Sequence, residues 1–563
     1  MSDTPKKIYG IDLGTTYSAI AYIDEFGKAA IIQNSENERI TPSVVFFESK
    51  DSILVGKIAK GSRETDPGKV VDFVKRQMSN KDWTFPVDGE SYNPERISSH
   101  ILARLAKDAN KTAAHDVKDV VITCPAYFGD FERQRTRDAG ELAGLNVIAI
   151  LDEPVAAALN YGLTADNKGK TIIVYDLGGG TFDVTVVKIG DDGSVEVVCT
   201  EGNHQLGGYN WDQRIVEYFV QEFQSQTGST ANPLDDPESA AELWGFAEEV
   251  KQGLSSRESM KKPVKCDGER ANVELTREKF DELTSDLLEQ TITLTDKVLE
   301  QAKEKKIDTW LLVGGSTRMP QVRDKLCAKY GLTLGNNLID PGADVDEMVA
   351  KGAAQYGASA IAIKYAAELI GKHFPDGNAD FSKLSKQDQE KVIEAVAAET
   401  GETKESIRKK YVIDGKGFQP IFHTVASKSY GIKVTDTRSG QSFVSNLIQK
   451  QTKLPNTASD TYGTASANAR CLDLVVYLNN ENGSEAGLDK SEELGRADFP
   501  LDGNLPEGAP IEIIFNLDEQ GKLILTGIDK THGKQITANF KSDGVMTEEE
   551  KQEAKAQSRD LVR

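Results

Sequence analysis

Two aspartates, each carried by an apolar run into a glycine turn, are the clearest chemical signal in the chain. In TIIVYDLGGGTFDVTVVKI, residues 171–189, the run TIIVY delivers Asp176, three glycines follow (Gly178, Gly179 and Gly180), and Thr181 leads into a second strand-like run. Glycines there can take positive φ and let backbone N–H groups come close to an anion. No helix pattern follows and the GxxxxGK[ST] string is absent, so the turn joins two strands instead of feeding a helix N-terminus. Residues 8–23, IYGIDLGTTYSAIAYI, repeat the device with Asp12, Gly14, Thr15 and Thr16. Either turn alone would pass as an ordinary glycine turn. Two of one design predict duplicated half-domains gripping one polyphosphate from opposite sides. A carboxylate at each tip, Asp12 and Asp176, suits a Mg²⁺ ion that keeps several of its waters and bridges phosphate oxygens.

The elements that must position these tips alternate strand and helix. Residues 95–113 place Ile97, Ile101, Leu102 and Leu105 on one helical face, and DVVITCP follows as a buried strand. In DEPVAAALNYG a helix starting at Pro154 puts Asp152 and Glu153 at its positive end, so Glu153 reads equally as a helix-terminus carboxylate or a nucleotide contact. Residues 238–256 are helical, with Glu248, Lys251 and Ser255 near one face, a spacing that usually marks a solvated stripe. DTWLLVGGSTRMPQVRDKL reads as strand, glycine turn and helix. Between 366 and 412, LSKQDQEKVIEAVAAETG has a cap at Ser385 and a stop at Gly401, and TKESIRKKYVI gives a second short helix. Beyond 425 the period changes to two: CLDLVVYLN alternates, and IEIIFNLDEQGKLILTGI is a hairpin, so a compact β-sandwich is expected.

A chain of 563 residues exceeds what one hydrophobic core usually supports, so several domains are expected. Its 67 basic and 89 acidic residues leave a net charge of −22, which argues against nucleic acid or an anionic membrane as main partner. MSDTPKKIYG is no basic–apolar leader and no apolar run approaches about eighteen residues, so neither secretion nor membrane spanning is expected. The five cysteines contain no CxxC pair and the six histidines show no ligand spacing; the expectation is buried thiols in a reducing cytoplasm.

In order along the chain, IDLGTT (11–16), KR (75–76), CPAYF (124–128), DEPVAAALNYG (152–162), DLGGGTFD (176–183), LGG (206–208) and GGSTR (314–318) resemble the heat-shock protein 70 (DnaK-type) chaperone family. The resemblance implies a multidomain α/β plus β chain. Residues 1–365 would be an actin-like ATPase domain of duplicated ribonuclease-H-like halves, 366–412 a helical insertion, 413–424 the interdomain linker, 425–543 the β-sandwich peptide-binding domain and 544–563 a helical stub of a lid. Carried over residue by residue, Lys75 becomes the lysine that reaches the reacting phosphate, although by itself it would be read as a solvated lysine. Glu153 becomes the link between nucleotide state and the other domain, Thr181 a phosphate contact and Asp183 the carboxylate that positions water. Tyr17 and Ser316 join the residues of the two tips around the nucleotide. Glu248, Lys251 and Ser255 would contact adenosine, Gly314 and Gly315 lie against adenine, Arg318 cover it, and Asp346 supply the last adenosine-site carboxylate. Ile432, Thr435, Tyr462, Ala465, Leu472 and Leu474 would surround an extended peptide, although alternation alone assigns Leu472 and Leu474 to core. The implied ligands are ATP/ADP, Mg²⁺ and K⁺; the implied partners are unfolded or extended polypeptides, a J-domain co-chaperone and a nucleotide exchange factor.

The sequence also departs from the family. Gln252 and Val345 replace the usual residues beside the adenosine site, and Ala149 and Thr424 stand where an arginine and an aspartate serve communication between domains. Pro420 lacks an N–H with which the linker could add a strand to the nucleotide domain. TEEEKQEAKAQSRDLVR offers one charged helix, so a full lid is expected to be missing and bound peptide to leave quickly in ADP. The reading is an ATP-dependent chaperone whose nucleotide state controls peptide affinity through weak or rewired coupling. The alternatives are a nucleotide-binding co-chaperone or scaffold without productive cycling, favoured by the altered linker, and a sugar-kinase-like phosphotransferase, disfavoured by the β-rich C-terminal part.

Overall fold

The computed structural model describes residues 7–112, 115–162, 167, 169–190, 194–303, 306–340, 342–372, 381–401, 403–412, 422–436, 438–468, 470–501, 505–518, 522–537, 541–542, 546 and 548–558. Short apolar runs rich in β-branched residues build a first lobe from β1 (Ile8–Asp12), β2 (Tyr17–Ile23), β3 (Ala29–Ile31), α1 (Pro94–Thr112), β4 (Asp119–Cys124), α2 (Asp130–Leu142), β5 (Asn146–Asp152) and α3 (Glu153–Gly162). α1 buries Ile97, Ile101, Leu102 and Leu105, the face its spacing predicts. The sheet order is β5-β4-β1-β2-β3, parallel from β5 to β1 and antiparallel from β1 to β3.

The second lobe contains β6 (Thr171–Leu177), β7 (Phe182–Ile189), β8 (Val195–Asn203), α4 (Gly208–Thr227), α5 (Pro237–Leu254), β9 (Thr309–Val313) and β10 (Leu338–Ile339). Its order, β10-β9-β6-β7-β8, repeats that of the first lobe with the same parallel and antiparallel senses. The duplication that the paired tips suggest is therefore a duplication of topology.

α6 (Met348–Gly371) runs against β1, β2 and α3 and joins the lobes. The approach is so close that side chains have no room: a Cβ on Gly10 would lie 2.1 Å from the Ala354 nitrogen, and one on Gly352 1.8 Å from the Ala156 carbonyl oxygen. The 366–412 stretch continues α6 and then folds back as α7 (Lys386–Thr400) and α8 (Lys404–Tyr411). Ser385 caps α7 by accepting from the Asp388 N–H, and Gly401 ends it at φ 74°. Val392, Ile393, Val396 and Ile407 enter the same apolar cluster as Ala362, Ala366 and Ile370 of α6.

Residues 413–421, including Pro420 and Ile421, lie outside the described residues. The expectation drawn from Pro420 is corrected just beyond it, because β11 (Phe422–His423) adds in parallel to the free edge of β8, pairing Val195 with Phe422 and Glu196 with His423. A proline removes one donor, and residues with their own N–H groups can still pair downstream.

The remaining strands are β12 (Ser429–Thr435), β13 (Ser442–Ile448), β14 (Asn456–Gly463), β15 (Cys471–Asn479), β16 (Glu485–Ala486), β17 (Ser491–Pro500), β18 (Pro510–Leu517), β19 (Leu523–Asp529), β20 (Lys534–Thr537) and β21 (Lys541–Ser542). They form two sheets, β16-β13-β12-β15-β17-β21 and β14-β18-β19-β20, around one apolar cluster that includes Ile432, Val476, Phe499, Phe515 and Leu525. The β18–β19 hairpin pairs Leu517 with Leu523, while residues 519–521 of its turn lie outside the described residues. α9 (Glu548–Ser558) rests on α2 of the first lobe, where Lys551 pairs with Asp138. Among the described residues no helix is long and apolar enough to cross a membrane.

Candidate nucleotide site

The two glycine tips meet. A Cβ added to Gly179 would lie 2.3 Å from Thr16 Cγ2, and one on Gly180 2.4 Å from Thr15 Cγ2, so glycine is what lets the hairpins close on each other. Between the lobes lies a cavity of about 750 Å³, and its walls include Asp12, Gly14, Thr15, Thr16, Tyr17, Lys75, Glu153, Asp176, Gly178, Gly179 and Thr181. Glu248, Lys251, Ser255, Gly314, Gly315, Ser316, Arg318 and Asp346 line it too. Residues separated by more than three hundred positions thus surround one space of the size that small-molecule sites occupy. Gly180 packs behind the wall against Thr15, and Asp183 also stands behind it.

Lys75, which its local sequence offers as a solvated lysine, is only 6% exposed and pairs with Glu153, the first residue of α3. Burial pushes the Lys75 ammonium down, but the Glu153 and Asp12 carboxylates outweigh it and hold the group firmly charged. The carboxylates behave oppositely. Burial, then the charge of Glu153, push Asp12 up to about 7 against the pull of Lys75 and of a hydrogen bond donated by Thr123. Asp176 and Asp183 are pushed well above the carboxylate range, by burial first and then by Glu153. The hairpin register adds to this, since Asp176 lies directly opposite Asp183 whereas Asp12 lies opposite Ala19.

Among the described residues no three ligand-type side chains stand ready to grip a metal directly. The site offers instead crowded buried carboxylates, and an Asp183 Oδ1 that is buried without a partner. That donor set fits a cation held through its own waters, as Mg²⁺ prefers.

At the other end of the cavity, Arg318 pairs with Asp346 at 2.8 Å, and the Ser316 hydroxyl donates to the Gly178 carbonyl at 2.9 Å. Sequence reasoning overlooked three residues here. Asp212 lines the cavity and accepts from Lys251 at 2.6 Å; its place on α4 just after LGG was the available signal. Thr123 gave none. Lys60 reaches across the cleft to Glu248 at 2.6 Å and to the Tyr17 hydroxyl at 3.0 Å, a contact between distant residues that no local pattern announces.

The peptide set is dispersed in burial. Ile432 and Leu474 are buried in the β-domain cluster, with Leu472 and Tyr462 packed against it. The Tyr462 hydroxyl shares a hydrogen bond with Ser445 at 2.9 Å, and Thr435 and Ala465 are exposed.

The seam between the lobes and the β domain is polar. Lys450 pairs with Glu201 at 2.9 Å, Gln451 donates to Gln301 at 2.6 Å, and Lys453 pairs with Glu196 at 3.1 Å. Phe131 of α2 packs into the β-domain cluster. At position 424 the structure supplies a neutral contact: the Thr424 hydroxyl donates to Asp152 Oδ2 at 2.9 Å, and Asp152 also pairs with Arg133. Ala149, the other departure, is buried at 2% exposure.

Two lobes of repeated topology closing on a cavity between glycine hairpins define a duplicated nucleotide-binding fold. The family model described as Hsp70 protein matches residues 8–85 and 79–362, well over half of the chain, and the protein belongs to the Hsp70 family. Membership of that family makes it a chaperone-type protein; proteins of the family are ATPases that generally bind ATP or ADP with Mg²⁺.

Proposed function

We propose that the protein is an ATP-dependent chaperone that hydrolyses ATP in this cleft and that the nucleotide bound there changes the grip of the β domain on extended polypeptide. The observation that carries the coupling is the opposite outlook of two adjacent residues. Glu153 turns into the cavity to meet Lys75, and Asp152 turns outward to meet Arg133 and Thr424, where the β domain begins. A shift of Glu153 toward or away from the phosphates therefore moves Asp152 by way of one peptide unit.

In the cleft, backbone N–H groups of the two tips cradle the phosphates. Asp12 and Asp176 would hold Mg²⁺ through water, and the ion would neutralise charge on the phosphate oxygens. Lys75, kept charged by Glu153, stabilises negative charge on the transferring phosphoryl group. Asp183, opposite Asp176 in the hairpin and with an unpartnered Oδ1, would orient the attacking water once nucleotide draws it into the cleft. Arg318, Lys251 and Glu248 position the adenosine, and the β domain takes the peptide by main-chain pairing with a pocket near Tyr462.

The test is single-turnover ATP hydrolysis with Mg²⁺ or with EDTA, each with and without an unfolded peptide. Mg²⁺-dependent turnover that peptide accelerates is the expected result. Tight nucleotide binding without turnover would instead support a nucleotide-binding scaffold acting beside another chaperone, and phosphate transfer to a sugar would support a phosphotransferase.

A further inference from the structure

We propose that Phe73, Tyr209 and Trp244 form an aromatic clasp between the lobes that sets how long nucleotide stays in the cleft; the proposal rests on the nucleotide reading above. Phe73 belongs to the first lobe and lines the cavity two residues before Lys75. Its ring meets Tyr209 of the second lobe edge-on, with centroids 4.8 Å apart and planes at 69°. Tyr209 in turn stacks on Trp244 at 4.8 Å and 15°. Arg76 closes the arrangement from the first lobe, its guanidinium 4.5 Å over the Tyr209 ring and its Nη2 donating to Gln205 Oε1 at 2.7 Å.

Each end of the clasp is fixed to the site. The Tyr209 N–H donates to the Gly179 carbonyl at 2.7 Å, which ties the ring to the phosphate-side tip. Trp244 lies one helical turn before Glu248 on α5, so it shares the face that lines the adenosine end. Phe73 itself sits at φ 50°, a left-handed conformation that bulky residues seldom adopt, held by the surrounding packing. The lobes must part for nucleotide to leave, and parting breaks the contacts of Tyr209 with Phe73 and Arg76 while its stack on Trp244, within one lobe, keeps the ring poised to re-form them.

The clasp differs in kind from the ionic ties across the cleft, the pairs of Lys60 and Arg63 with Glu248. Salt screens a partly exposed ion pair and leaves an aromatic contact largely intact. A clasp of this type keeps release slow at high ionic strength.

The experiment is displacement of a fluorescent ATP analogue by excess ATP from the full chain with Mg²⁺, at low salt and at about 0.5 M NaCl. Phe73→Ala and Tyr209→Ala should each speed release roughly three- to tenfold, the range an aromatic pair supports. Salt should speed release from the unmodified protein and from both variants by a similar factor, and the ratio between them should persist at high salt, as an aromatic contact requires. Tyr209→Phe keeps the ring and should release slowly, and the double variant should be little faster than either single one, since the two rings act as a pair. Acceleration below twofold in both alanine variants, equal acceleration in Tyr209→Phe, or fully additive effects would overturn the clasp. Should thermal unfolding show that the alanine variants are not folded, Phe73→Leu retains an apolar side chain without the aromatic contact, and unchanged release from it would overturn the proposal. An unmodified protein that binds no nucleotide would refute the nucleotide reading itself, a different result from normal binding with unaltered release.

Discussion

Among the described residues of the cleft, Asp12, Asp176 and Asp183 feel the charge of Glu153 and share the Lys75 ammonium, which pairs with Glu153. At the seam the charges come in pairs: Lys450 with Glu201, Lys453 with Glu196, Lys551 with Asp138. Both regions remove charge from water, yet one leaves an excess of negative charge and the other cancels it. Burial of unbalanced carboxylates costs stability unless something positive joins them. A balanced seam needs no ligand, and each pair can exchange its partner for water when the surfaces separate. On the function proposed above, a cation and a nucleotide would complete the cleft, and the seam would open and close.

The strongest test of that contrast removes one of the surplus charges. Asp176→Asn should lower Mg²⁺-dependent turnover by about a hundredfold or more, roughly 2.7 kcal/mol of barrier. The same change should leave the ligand-free protein at least as stable, because Asp176 lies opposite Asp183 and its ionised form is disfavoured by burial and by Glu153. Single-turnover kinetics and thermal unfolding check the two halves. A loss below tenfold would remove the assigned role, and a clear loss of stability would show that the carboxylate is structural.

At the seam the opposite response is expected. Lys450 and Glu201 are both 6% exposed, so Lys450→Met strands a buried carboxylate, although Lys297 and Gln301 still contact it. The docked arrangement should lose roughly 2 kcal/mol, about thirtyfold in the docking equilibrium. Distances between labels on the β domain and the second lobe report this. Turnover of ATP in the absence of peptide should change far less, and an equal loss of both would mean that cleft and seam are not separable.

How much of this could be read beforehand follows the reach of each signal. The hairpin tips are local, so Asp12, Asp176 and their glycines and threonines declared themselves, and the repeated pattern suggested the duplicated lobes. Ser385 and Gly401 likewise bound α7 by local rules. Lys75 did not, because its partner Glu153 is 78 residues away, and only the resemblance singled it out. Tyr209 and Trp244 look like ordinary half-buried helix residues until the fold places Phe73 beside them. At the seam, Ala149 and Thr424 read as two lost charges, and what local sequence did not announce is that Asp152, read as a helix-terminus residue, accepts a hydrogen bond from the Thr424 hydroxyl. The same contact alters the outlook for restoring an aspartate at 424, which would set a second carboxylate against Asp152.

The smallest expected effect is one of pH, and it arises where the seam departs from balance. Asp130, at the start of α2, opens onto a cavity of about 410 Å³ that Asp518 and Lys522 of the β domain also line. Burial raises its carboxyl to about 7, Arg133 pulls it back, and Asp518 adds to the rise. Arg133 and Glu132 face it from its own helix, and Asp518 and Lys522 from the other side. When the β domain moves away, water reaches Asp130 and its pKa falls toward the ordinary value near about 3.9. The docked form therefore binds the proton more tightly. Its contribution to docking is complete below the undocked pKa, declines as pH rises through the interval, and is gone once pH passes about 7. Between about pH 6 and pH 8 docking should weaken by up to roughly tenfold, about 1.4 kcal/mol, with most of the change below 7. His204 also lies near this surface, and burial lowers the pKa of its ring from the ordinary histidine value. Asp130→Asn should give docking that is flat with pH and close to the low-pH value of the unmodified protein. A pH dependence that survives this substitution would place the titrating group elsewhere. Docking that strengthens as pH rises would mean that Asp130 is ionised at the seam and paired with Arg133, restoring there the charge balance that the other pairs display.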